Sequence, residues 1–403
     1  MKKTSRGTSE AENGQESDLQ LIEDPWAWWR SKMPVASRWA YFDHAAVSPL
    51  SGPAAAATRD FVGDASANGD YHWPQWAATS ERLRGQFCRL INADLAEICL
   101  VPNTTSGVNL VAEGWPWSKG DNVIVPEGEF PSNLFPWKNQ IVKGVEVRFV
   151  PRRGTQVVID DLLEQVDEKT RMIAVSWVGY ASGYRIDLQR LVDEAHRRGV
   201  LVFLDAIQGL GIYHLDVQET PVDFLAADGH KWLLGPEGLG VTMIRRPHLD
   251  RLRCGQVGWN SVKNAFNYAQ PQFELRDAAS RFEGGSANML GAAALSASLD
   301  LFLRVRSQHG SGAIAERILF LAEILESRLS DLGVKTRVHS KREHRSGIVT
   351  FDLPEVDAGA FRKAALEQQV ILSCRDGGVR ASIHAYNNES DLERLIRVVS
   401  DHR

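Results

Sequence analysis

The sequence predicts an α/β protein: a large domain built on a mostly parallel seven-stranded sheet, followed by a smaller α+β domain. Three observations carry this. Seven short apolar runs recur between Glu97 and Ile244, with helical patterns between most of them. One of those runs ends on a lone carboxylate, and a lysine follows the next. After about Gly291 the alternation gives way to long helices and hairpin-like strand pairs.

The bulk composition is that of a globular enzyme-sized chain. Its 403 residues are 43% hydrophobic and 24% charged, enough for a large core plus a smaller one. A net charge of −5 and the lack of a long basic run give no basis for nucleic-acid or membrane binding. Cys88, Cys99, Cys254 and Cys374 are scattered without a CxxC pair. That spacing suits neither a disulfide framework nor a zinc site, so no metal is expected and a reducing, cytoplasmic location is.

The elements follow in order. Residues 1–22 ("MKKTSRGTSEAENGQESDLQ" and two more) are polar and lack a signal peptide's apolar stretch, which reads as a disordered tail. Residues 23–50 form an N-terminal arm whose "PWAWWRSKMP" supplies aromatic packing groups. Residues 51–290 form the large domain. Its strands are "EICLV", "NVIVP", "VEVRFV", "RMIAVSW", "VLVFL", "VDFLAA" and "LGVTMI", with "DLQRLVDEAHRRG" an example of the helices between them. Residues 291–403 form the small domain: a long helix from near Gly291, a second over roughly Ile314 to Leu332, and two strand-like stretches. The helix "AGAFRKAALEQQ", two more strands and a closing helix "ESDLERLIRVV" complete it.

Asp205 ends the run "VLVFL", where ligands bind in open parallel sheets. Gln208 lies three residues on, and Lys231 follows the next strand in "DGHKWLLGPEG". A lone acid there is usually a turn or cap, and a lone lysine is usually solvated. An acid and a lysine at neighbouring strand ends are what pyridoxal 5'-phosphate requires: an amine for its aldehyde and a carboxylate for its ring nitrogen. The phosphate needs a cradle, and "VPNTTSGVNLVAEG" places hydroxyls and free N–H groups where a strand opens into a helix.

With these elements in place, the chain resembles the class V aminotransferase family of fold-type I pyridoxal-phosphate enzymes. Cysteine desulfurases, selenocysteine lyase, kynureninase and isopenicillin N epimerase-like proteins belong to that group. The resemblance runs from about Tyr41 to the C-terminus. It rests on "YFDHAAVSP", "NTTSGVNLVAEG", "EFPSNLFPW", "LDAIQGLG", "DGHKWLLGPEGLG", "RFEGGSAN" and "VRASIHAYNNESDLERL". It implies that Lys231 is the Schiff-base lysine and Asp205 the partner of the pyridine nitrogen. Gln208 would bond the ring hydroxyl, and His230 would sit beside phosphate and substrate. Thr104 and Thr105 match the phosphate loop, and Phe130 the ring-stacking position, where desulfurases carry histidine. Ser286 matches a hydroxyl that reaches the phosphate of a partner subunit, which implies a homodimer with shared sites. Arg380 matches the arginine that forks the substrate carboxylate.

Three departures stand out. Desulfurases carry their nucleophilic cysteine on an extended loop, whereas "SCRDGGVRAS" leaves five residues between Cys374 and Arg380. Following "VIL", Cys374 reads as a small packed residue. "SWVGYASGY" replaces the desulfurase asparagine and offers Tyr180 and Tyr184 to line a pocket. Asp228, just before the lysine, replaces a hydroxyl of the phosphate cup and is expected to turn away. The expected function is therefore an aminotransferase or lyase acting on an amino acid. Epimerisation and desulfurase or selenocysteine lyase-like chemistry are the alternatives, with a non-catalytic partner-binding relative outside them. "GLG" at Gly209–Gly211 opens no helix, which argues against a nicotinamide dehydrogenase, and GxSxG is missing, which argues against a serine hydrolase.

Overall fold

The computed structural model describes residues 21–353 and 356–402. The tail expected over residues 1–22 lies outside the described residues except for its last two. Of these, Ile22 is buried, with its N–H donating to Gln308 Oε1 at 2.9 Å. The arm is a helix, Pro25–Ser31, capped by Asp24, whose carboxylate accepts from the N–H groups of Trp26 and Ala27. Trp29 is fully buried, edge-on to Phe302 with centroids 4.7 Å apart. Arg30 forks Asp391 at 2.7 and 3.0 Å, which ties the arm to the closing helix Glu389–Asp401. The arm ends in a short strand, β1 (Ala40–Tyr41).

The central sheet contains β2 (Ile98–Val101), β3 (Asn122–Pro126), β4 (Glu146–Val150) and β5 (Thr170–Ser176), then β6 (Leu201–Asp205), β7 (Phe224–Asp228) and β8 (Gly240–Ile244). Their order is β2-β8-β7-β6-β5-β3-β4, and only β8 runs against the rest. Every residue of β3, β7 and β8 is buried, because helices cover both faces; this is why those strands read as unbroken apolar runs. β4 lies at the edge and is partly exposed, which accounts for its polar interruptions. Parallel pairing sets Ser176 beside Asp205 and Asp205 beside Ala226, so the carboxyl ends of β5, β6 and β7 form one rim.

The C-terminal part begins with the helices Met289–His309 and Ala313–Asp331. Then follow β9 (Ile348–Phe351), the helix Ala358–Glu367, β10 (Val370–Ile371), β11 (Ser373–Arg375) and β12 (Gly378–Ser382). β11, β12 and β9 form an antiparallel sheet with β12 in the centre, and β10 pairs with β1 of the arm. The two strand-like stretches expected before residue 358 reduce to β9 and a single bridge at Thr336. The segment between them is too charged to be a strand: Arg342 pairs with Glu316 and Glu323, and residues 342–344 close a 3-10 turn. Asp376 and Gly377, both at positive φ (49° and 74°), join β11 to β12 in the tight hairpin that an Asp-Gly pair favours.

Candidate active site

At the rim of β6 and β7 a cavity of about 520 Å³ is lined by Phe130, Tyr180, Asp205, Gln208, Lys231 and Arg380, among others. Lys231 reaches it from the turn after β7. Gly229 is packed so closely under Leu239 and Leu295 that a side chain there would collide. The arm clamps the turn from outside: the Ser48 N–H donates to His230 O at 2.7 Å, and the Ser48 hydroxyl donates to Lys231 O. Nζ of Lys231 lies 5.6 Å from the Phe130 ring centroid. Burial pushes its pKa down to about 8, against the opposing pull of the Asp205 charge.

Asp205 is 2% exposed. Its Oδ1 accepts from the Ile207 N–H at 3.1 Å, and burial raises its pKa to about 6. Gln208 is held between two neighbours, donating to Ala45 O at 2.9 Å and accepting from Trp232 Nε1 at 2.7 Å. One amide N–H therefore stays available to a ligand. Phe130 stands edge-on to Tyr180, with centroids 5.3 Å apart.

Beside this group the helix Thr104–Gly114 begins. Its cap, Asn103, accepts from the Ser106 N–H at 2.8 Å, and Thr105 donates to Ser132 Oγ at 2.7 Å. The Thr104 hydroxyl is buried without a hydrogen-bond partner. Gly107 lets this turn settle on β7 and β8, since a Cβ there would run into Thr242 and Ala226. An orphaned hydroxyl at a helix N-terminus, beside a buried lysine and a buried acid, matches a phosphate, an aldehyde and a pyridine nitrogen. The residues present fit pyridoxal phosphate.

Arg380, on central β12, is fully buried rather than an edge-strand charge. Its Nε donates to Ser373 Oγ at 3.1 Å and Nη1 to Tyr180 O at 2.6 Å, while Nη2 faces Asp43 at 3.4 Å. Burial lowers its pKa to about 10, so the fork remains charged at neutral pH.

Two expectations need correction. Asp228 does not turn away: it lines the cavity, with Oδ1 2.9 Å from His230 Nδ1. Neither atom has an aligned hydrogen bond, so the contact is a close approach of polar groups rather than a directed bond. Tyr184 lies outside the cavity, stacked on His344 with centroids 5.1 Å apart. Ser286, expected to serve a partner subunit, is not such a case: it is exposed and lines a separate cavity of about 890 Å³ next to the helix start. Nor is Cys374, read as a small packed residue: it points away, because it is paired with Val379 on the opposite face of the hairpin from Arg380, and its Sγ donates to Ala358 O at 3.1 Å.

Sequence reasoning missed Glu129, Ser48 and Arg375. The half-buried Glu129 carboxylate accepts from the Ser176 N–H at 2.8 Å and from its hydroxyl, and desolvation raises its pKa to about 7. It lies inside the quoted motif "EFPSN", one residue before Phe130, in a turn that also carries Glu127, Ser132 and Asn133, so nothing in the pattern singled it out. Arg375 directly follows Cys374, and "DGG" already marks the hairpin that presents it.

The fold and site together define a fold-type I pyridoxal-phosphate enzyme. The model of the aminotransferase class-V family matches residues 40–395, and the chain belongs to that family. A probable cysteine desulfurase from Methanothermobacter thermautotrophicus is 29% identical over 389 residues, which cover 91% of this chain and 95% of that one. Among solved structures, a C-DES mutant with glycine covalently linked to its PLP cofactor aligns at TM-score 0.87 and 23% identity, covering 93% and 99% of the two chains. The complex of the cystine C–S lyase C-DES with cysteine persulfide aligns at TM-score 0.86 and 24% identity, covering 92% and 99%. Among the described residues no helix is long and apolar enough to cross a membrane.

Proposed function

We propose that this enzyme acts on an amino acid at Cα, as an aminotransferase or lyase, with Lys231 as the attaching and proton-moving amine. The observation that carries the reading is the burial of Lys231 in one cavity with Asp205. When bound, pyridoxal phosphate supplies an aldehyde for amines and a ring that accepts an electron pair from Cα. Thr104 and Thr105 would hold the phosphate at the helix start. Phe130 would cover one face of the ring, the free amide N–H of Gln208 would meet its hydroxyl, and His230 would sit beside phosphate and substrate. Asp205 would hold a proton on the ring nitrogen. Arg380, pre-aimed by Ser373 and Tyr180, grips the substrate carboxylate. Lys231, its pKa lowered to about 8, then takes and returns a proton at Cα, because a useful fraction of its amine is neutral near physiological pH.

The desulfurase chemistry named for a relative would reach this chain only as direct elimination. Cys374 lies on the far face of a two-residue hairpin, and burial raises its thiol pKa. We also place two chains in the working unit, with Ser286 of each completing the phosphate cup of the other, and the protein in the cytoplasm.

Asp205→Asn is expected to bind the cofactor yet turn over on the order of a hundredfold more slowly, since one electrostatic partner is lost; near-native turnover would make the acid structural. Cys374→Ser should retain most activity, and mass spectrometry after incubation with cysteine should find no sulfur added to Cys374. A persulfide there, with an inactive serine variant, would restore the desulfurase route. Mixed Lys231→Ala and Ser286→Glu chains should regain activity, because one hybrid site escapes both lesions. A fully active monomer would rule out shared sites.

A further inference from the structure

The mechanism leaves one cation of the cavity unused. Arg375 lines it together with Lys231 and Arg380. In an antiparallel hairpin, directly paired residues share a face and alternate residues return to it. Ser373 is paired with Arg380 and Arg375 with Gly378, so Ser373, Arg375 and Arg380 share the face turned to the cavity. Gly378, between the two arginines, contributes no side chain.

The two guanidinium groups are not equivalent. Arg380 is buried and engaged at Nε and both Nη atoms. Arg375 is half-buried and gives a single bond, from Nη1 to Cys374 O at 2.8 Å. Among the described residues no carboxylate stands within ion-pair distance of it; Asp43 faces Arg380 instead. Most of its five donors are therefore free to meet something that enters the cavity.

Lys231, Arg375 and Arg380 share this lining with Asp205, Asp228 and Glu237, yet none of these carboxylates comes within ion-pair distance of Arg375. Attachment of the cofactor removes the Lys231 charge only in part, and the substrate α-carboxylate answers Arg380. Arg375 is left without a direct ion pair, its guanidinium donors open to the cavity. We propose that Arg375 binds a second oxyanion at the end of the substrate side chain, so that the enzyme selects acidic amino acids over neutral ones of the same length. This rests on the reading of Lys231 and Arg380 above and adds the substrate class to it. Arg375 is a specificity residue here: it touches the substrate end remote from Cα and moves no proton.

The test uses holoenzyme and unreactive acids. Binding of succinate and glutarate is compared by titration calorimetry with that of propionate and butyrate, at fixed ionic strength. Wild-type protein should bind the better dicarboxylate at least tenfold more tightly than either monocarboxylate. Arg375→Ala and Arg375→Gln should both erase that difference while binding monocarboxylates as wild type does, with unchanged melting temperature and visible absorbance. The same variants should lose the kcat/KM preference for aspartate over asparagine or for glutamate over glutamine. A coloured wild-type protein that binds both acid classes equally would overturn the proposal, as would a preference that survives in the folded variants. Equal loss of both classes would show that the two arginines share one carboxylate, which also overturns it. Failure of the underlying reading looks different: the protein would carry no visible cofactor band before any acid is added.

Discussion

An amine and a carboxylate buried in one cavity, at the ends of adjacent sheet strands, are the constraint on which the rest depends. Each alone would be expensive to desolvate. Together they partly compensate, and the residual cost appears as their shifted pKa values, about 8 for Lys231 and about 6 for Asp205. Those shifts are useful, because a lysine near neutrality can exchange protons and an acid without a bound protein cation can receive the charge of a ring nitrogen. The strand register holds Asp205 in place, since Ser176 and Ala226 flank it on β5 and β7.

Rigidity at Lys231 comes from distant parts of the chain. Ser48 of the arm holds the backbone carbonyls of His230 and Lys231. The same arm joins the C-terminal sheet, where His44 lies 2.8 Å from both Ser382 O and the Tyr386 hydroxyl. Arg380 two residues earlier reaches back to the carbonyl of Tyr180 after β5. Lysine, arginine and the loop bearing Tyr180 are thus fixed through one hydrogen-bonded framework, which is the preorganisation that a carbon-acid reaction needs.

The sheet was legible because strands buried on both faces must be apolar throughout, and all seven runs became strands. That Asp205 and Lys231 share one cavity was legible because an acid and a lysine at the ends of neighbouring strands stand together, although either alone would read as a turn acid or a solvated lysine. Arg375 was not, because its meaning depends on a hairpin register that turns alternate residues toward or away from the cavity. The same register turned Cys374 outward. Asp228 was not legible for a related reason: its place in the lining follows from the backbone course at the end of β7, which charge opposition to a phosphate does not reveal. Tyr184 was misplaced because sequence proximity to Tyr180 says nothing of side-chain direction after a turn containing Gly183 at positive φ.

The central claim is that Lys231 alone attaches the cofactor. Borohydride reduction of the purified yellow protein, followed by peptide mapping, tests it most directly. The reduced cofactor is predicted on Lys231, with Lys231→Ala yielding no adduct. A reduced adduct on another lysine, or none on the wild-type chain, would contradict the account.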